Sequence, residues 1–135
     1  MIALLTVLSL FTLLPLNAQA PGKKAPAESP KTALIIIDVQ DFYFPGGGHD
    51  LVNPEAAAKN AALLLKKFRQ TKQTVVHVRH NAKQNAGIHK LVQPLKSEKV
   101  ISKNEVSCFK NTPLLKYLQE KKIKRLVICG MMTHM

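Results

Sequence analysis

From Ala33 to Gln40 the chain reads Ala-Leu-Ile-Ile-Ile-Asp-Val-Gln, an unbroken apolar run that ends on a carboxylate. Apolar residues at both parities leave no polar face for water, so the run predicts a central strand of a parallel sheet, covered on both sides. α/β proteins build their sites at the carboxyl ends of such strands, and Asp38 stands at that edge.

Further along, Asn53-Pro54-Glu55 predicts a helix start, with an Asn cap, Pro at the first helical position and an acid near the positive end of the dipole. Ala57, Ala61, Leu64, Leu65 and Phe68 then recur at helical spacing, opposite a Lys/Arg face. Thr74 to Arg79 predicts a second strand. His80 to Glu98 carries Gly87 and Pro94 without a period and predicts a long loop, a kind of segment that often serves function. Val100 to Lys103 predicts a third strand, Thr112-Pro113 a second helix start with Leu114, Leu115 and Leu118 as its stripe, and Arg125 to Gly130 a fourth strand. Strands alternating with helices of this length imply right-handed βαβ units. The expected fold class is therefore α/β, a three-layer α/β/α arrangement around a parallel, Rossmann-like sheet. About four strands stand where doubly wound domains carry about five or six, so the sheet is expected to be incomplete at its C-terminus.

The start of the chain changes the domain picture. Ile2 to Leu16 is almost wholly apolar, and Ala18-Gln19-Ala20 places small residues where a signal peptidase reads. Residues 1–20 are thus expected to be a signal peptide, although no Lys or Arg precedes the apolar run. An uncleaved anchor is the alternative, against which stands a run shorter than the ~20 residues of a spanning helix. Residues 21–31, rich in Pro, Ala and Lys, form a linker, and residues 32–135 form the N-terminal part of the α/β domain. The expected location is periplasmic or secreted, with no stable membrane association after cleavage.

The formal net charge is +12, which raises nucleic-acid binding. The lysines are scattered from Lys66 to Lys124 without an Arg-rich cluster or interleaved aromatics, so a solvated basic surface is expected and no nucleic-acid partner. His77 and His80, three apart in an extended segment, point to opposite faces and do not chelate together. Cys108 and Cys129 read as small buried hydrophobes, with a disulfide between them open in an exported protein. Taken alone, Asp38 could simply cap a turn and Lys103 could be one more solvated lysine.

Several separated segments nevertheless resemble one family in order and spacing. Leu34-Ile-Ile-Ile-Asp38-Val-Gln40 with Phe42 resembles the opening motif of the isochorismatase-like cysteine hydrolases. Lys99-Val-Ile-Ser-Lys103 with Ser107-Cys-Phe109 resembles their lysine motif, and Lys124 to Met135 resembles the strand and turn before their nucleophile. Ile88-His89 and Pro94 are similar to the loop between the family's second and third strands. The resemblance implies a catalytic triad of Asp, Lys and Cys, with Asp38 as general base and Lys103 as its cationic partner. Its pattern Gly-x-x-Thr-x-x-Cys places the nucleophile immediately after Met135, so the chain is expected to stop short of it and to be inactive and prone to association by itself. It also implies a cis peptide between Met131 and Met132, with the Met132 N–H in the oxyanion hole.

The chemistry implied is hydrolysis of a C–N bond in a small amide or ureido compound, with ester or enol-ether cleavage left open. A thiolate formed beside the Asp–Lys pair would be the attacking group. Phe42, Phe44 and His80 are expected to bind the substrate, with Tyr43 a further candidate for its apolar wall and His49 and His89 for the pocket mouth. No cofactor is implied. No metal is expected, because the Asp-x-His motif with which nicotinamidases of the family hold one does not follow the second strand. The full-length protein is expected to be a homo-oligomer acting on a small molecule. A non-catalytic binding domain of the same fold is the alternative.

Overall fold

The computed structural model describes residues 29–132. The expected signal peptide, most of the linker and residues 133–135 lie outside the described residues. Four strands form one sheet: β1 (Thr32–Ile37), β2 (Thr74–His80), β3 (Lys99–Lys103) and β4 (Arg125–Gly130), with α1 (Pro54–Gln70) between β1 and β2 and α2 (Leu114–Glu120) between β3 and β4. The spatial order is β3-β2-β1-β4, and every pairing is parallel. The chain steps outward from β1 to β3 and then crosses back to the other side of β1. That reversal makes a topological switch point at the carboxyl ends of β1 and β4, where α/β sheets open a crevice.

β1 is central, and its sequence shows why. Ala33, Leu34 and Ile35 are fully buried and Ile36 nearly so. Leu34 and Ile36 pack under α1 with Leu65 and Phe68, whereas Ala33 and Ile35 pack on the opposite side with Leu114 and Leu118 of α2. Burial of such side chains contributes about 1.5–3 kcal/mol each, which makes β1 the best-anchored strand. No helix of the described residues is long and apolar enough to cross a membrane.

The helices differ in detail from the sequence expectation. α1 buries Pro54, Ala58, Ala61, Leu65 and Phe68, while Ala57 is exposed and Leu64 is 38% exposed. Asn53 precedes α1 in the left-handed region (φ 52°) and its side chain makes no cap hydrogen bond, so the helix start rests on Pro54. In α2 Leu114 and Leu118 are buried, but Leu115 is 54% exposed because it falls on the outer side of a two-turn helix.

A buried polar cluster ties α1 to the approach to β3. Arg69 holds Glu98 in a two-pronged pair, Nε to Oε1 and NH2 to Oε2, both at 2.8 Å, and also donates to the Gln93 carbonyl. From β2, His77 donates through Nε2 to the same carboxylate at 3.0 Å, and the Leu95 N–H adds a further bond. Burial opposes ionisation of Glu98, yet these donors hold its carboxyl down to about 2. Burial also pushes the His77 imidazole below its usual range despite the neighbouring carboxylate.

Candidate active site

The chain leaves β1 abruptly. The Asp38 N–H still bonds to the Val78 carbonyl of β2 at 2.9 Å, but Asp38 itself has φ 55°, in the left-handed region that Asp tolerates better than most residues. The carboxylate thereby lies at the strand's carboxyl end. From β3, on the far side of β2, Lys103 reaches it: Nζ lies 2.7 Å from Oδ2. Asp38 is 8% exposed and Lys103 4%. The ammonium also donates to the Glu105 carbonyl at 3.1 Å.

The pairing engages only one oxygen of Asp38. Its Oδ1 is buried and has no hydrogen-bond partner among the described residues. Burial pushes the carboxyl above its ordinary value, and the hydrogen bond and charge of Lys103 and the nearby His80 only partly offset it. A carboxylate with one oxygen held and one free, shifted toward neutrality, is suited to accept and return a proton.

The pair lies in the wall of a cavity of about 1320 Å³. Phe42, Tyr43 and Leu51 supply part of its apolar wall, His49, His80 and Lys83 contribute basic groups, and Gly130, Met131 and Met132 border it from the end of β4. The peptide between Met131 and Met132 is cis. Cys108 and Cys129 are both free and both border the cavity, and burial pushes each thiol above its ordinary value. Gly130 is required where β4 ends, because a Cβ there would run into the backbone carbonyl of Ile37. The Met131 N–H donates to that same carbonyl at 3.0 Å.

Of the residues expected at the site, Asp38, Lys103, Phe42, His80 and Met132 border this cavity, as does His49. Phe44 and His89 do not. Residues 41–43 form a single 3-10 turn, which sends Phe42 and Tyr43 toward the cavity and Phe44 behind it. There the Phe44 ring stacks on His89 with centroids 3.6 Å apart and planes 5° apart, beside a second, smaller cavity. Sequence reasoning missed Gln40, whereas Tyr43 stands at the cavity wall for which it was a candidate. Tyr43 is buried at the cavity wall, and burial with the nearby Asp38 charge pushes its hydroxyl above its ordinary value. Gln40 is fully buried and makes three side-chain hydrogen bonds. An amide three residues past the end of an apolar strand was the available signal.

Fold and buried pair together define a three-layer α/β domain with an Asp–Lys pair at the carboxyl edge of its parallel sheet. The model of the isochorismatase domain matches residues 32–135, and the chain belongs to the isochorismatase family. YddQ, an isochorismatase family protein of Bacillus subtilis, is 47% identical over 115 residues, which cover 77% of this chain and 64% of YddQ. The streptothricin hydrolase of Streptomyces noursei is 28% identical over 120 residues, covering 82% of this chain and 47% of that enzyme. The crystal structure of an isochorismatase from Pseudomonas putida is similar at a TM-score of 0.72 with 34% identity, covering 77% of this chain and 58% of that one. The chain spans less than two thirds of the length of each of these relatives.

Proposed function

We propose that the full-length protein is an exported cysteine hydrolase that cleaves a C–N bond in a small amide or ureido compound, with Asp38 and Lys103 in its triad and the nucleophilic Cys directly after Met135. The observation that carries this reading is the division of the Asp38 carboxylate, with Oδ2 on Lys103 and Oδ1 buried and without a partner among the described residues. In this scheme Oδ1 takes the thiol proton and the Lys103 ammonium stabilises the charge that remains. The thiolate attacks the substrate carbonyl carbon. A tetrahedral oxyanion forms, held by backbone N–H groups that include that of Met132. On collapse the C–N bond breaks, the proton passes from Asp38 to the leaving nitrogen, and the acyl group stays on sulfur as a thioester. Water, deprotonated by Asp38, then releases the acid and restores the thiol. Phe42 and His80 contact the substrate across the cavity.

Full-length protein presented with a panel of primary amides and ureido acids is expected to release ammonia or amine from at least one. Asp38→Asn is expected to lower kcat by about 10²–10⁴. Turnover that survives in Asp38→Asn would remove Asp38 from the chemistry. If the wild type releases nothing from the panel and no thiol is labelled by iodoacetamide in competition with amides, the non-catalytic binding domain is the right description.

A further inference from the structure

β2 runs one register step further than β1 can follow. β1 ends its pairing at Ile37 opposite Val78, and Asp38 then turns away. The next groups of β2 on that side are the N–H and C=O of His80, which no β1 backbone reaches. Gln40 meets both with its side chain: the His80 N–H donates to Oε1 at 2.6 Å, and Nε2 donates to the His80 carbonyl at 3.0 Å. A primary amide has the donor and acceptor of a peptide group, so it replaces the missing residue of β1. The second Nε2 hydrogen goes to the Ala86 carbonyl at 2.8 Å, so the same amide also fastens the far end of the 80–86 loop. On its other side His80 pairs with Lys103 in the β2–β3 register, and the Asn81 N–H donates to the Lys103 carbonyl at 2.9 Å.

We propose that Gln40 is a positioning residue: its side-chain amide extends β1 as a surrogate strand, which frees Asp38 to leave the sheet while His80, and through it Lys103, stays in register. The Asp38–Lys103 contact of 2.7 Å then depends on an amide whose own hydrogen bonds go to His80 and Ala86. The catalytic consequence rests on the function proposed above, whereas the geometric linkage does not.

The test compares full-length wild type, Gln40→Met, which keeps length and apolar volume but removes all three bonds, and Gln40→Glu, which keeps an acceptor for the His80 N–H and removes the paired amide donors. Amide hydrogen exchange and carbon-13 titration of the Asp38 carboxyl are the readouts. In Gln40→Met the amides of His80 and Asn81 are expected to exchange about tenfold faster or more, while Leu34, Ile35 and Val76 keep their rates within about twofold. The Asp38 midpoint is expected to move upward as its contact with Lys103 loosens. In Gln40→Glu the His80 amide is expected to stay protected while residues 82–87 exchange faster. Unchanged exchange at His80 and an unchanged Asp38 midpoint in both variants would overturn the proposal, and so would loss of protection spread evenly over the sheet. Should Gln40→Met fail to fold, Gln40→Glu decides through exchange alone: faster exchange at residues 82–87 with His80 still protected supports the proposal, and unchanged exchange at residues 82–87 overturns it. Absence of hydrolysis in the wild type would count against the proposed function and leave these readouts intact.

Discussion

Lys103 engages Asp38 through a single oxygen, with Nζ 2.7 Å from Oδ2, and leaves Oδ1 buried without a partner among the described residues. Two neighbouring strands would bring such groups together trivially, but these come from β1 and β3 with β2 between them. The pair spans the end of the intervening strand, and each member depends on the other for its burial.

Removing one partner should therefore cost more than removing both. Lys103→Met leaves a carboxylate enclosed without a cation and is expected to destabilise by about 3–5 kcal/mol. The double variant Asp38→Asn/Lys103→Met, which has no buried charge at this place, is expected to recover most of the loss. Urea denaturation of the wild type, both single variants and the double variant measures it, and a double loss equal to the sum of the two single losses would show the pair uncoupled.

Under the proposed function, with Asp38 as the base, the pH dependence of turnover follows from the same carboxyl. Burial raises the Asp38 carboxyl above its ordinary 3.8, so the base is lost on acidification sooner than an exposed Asp would be. The acidic limb of kcat/KM is expected above that value and should move further up in Lys103→Met. A limb at the ordinary carboxylate position would mean that another group sets the rate.

Acid should weaken the fold in two stages through the Arg69–Glu98–His77 cluster. His77 is lowered from 6.5 in the folded protein, so the unfolded chain binds the proton first and stability declines as pH falls below about 6.5. Glu98 is lowered from 4.5 to about 2, so a further loss runs from about 4.5 down to about 2. Above the unfolded values both contributions are fully present. Thermal unfolding as a function of pH should show both declines; His77→Gln should flatten the first and Glu98→Gln the second.

Gly130→Ala tests the close approach of β4 to the end of β1. The added methyl meets the Ile37 carbonyl, a backbone atom that cannot swing aside, and φ at this position is 157°. A loss of about 1–3 kcal/mol is expected from the overpacking. An unchanged urea midpoint would show that the two strand ends part without cost.

The strands were legible because apolar runs buried on both faces leave little choice of state, and β4 coincides with the predicted span. The face of α1 was not, since Ala56, Ala57, Ala58, Ala61 and Ala62 with Leu63, Leu64 and Leu65 offer several apolar stripes, and only the sheet selects the one through Ala58 and Leu65. Asp38 and Lys103 were legible as motifs. Their separation of charge between two oxygens was not, because it depends on the backbone turn at Asp38. The Arg69–Glu98–His77 cluster lay hidden for another reason: its members belong to a helix, a loop and a strand, and no local pattern connects them. Phe44 was misplaced because a 3-10 turn separates neighbouring side chains by about 120°.

The left-handed backbone at Asp38 also governs how its variants are to be interpreted. Outside Gly, Asn and Asp, residues pay about 1–2 kcal/mol for that conformation. Asp38→Ala therefore changes two things together, deleting the carboxylate and pressing the turn back toward an extended path. Asp38→Asn keeps the turn and alters only the proton chemistry. A difference between the two variants in stability or in the exchange of the Val78-bonded amide would measure the backbone's share, and the Asn variant alone would report on the acid–base role.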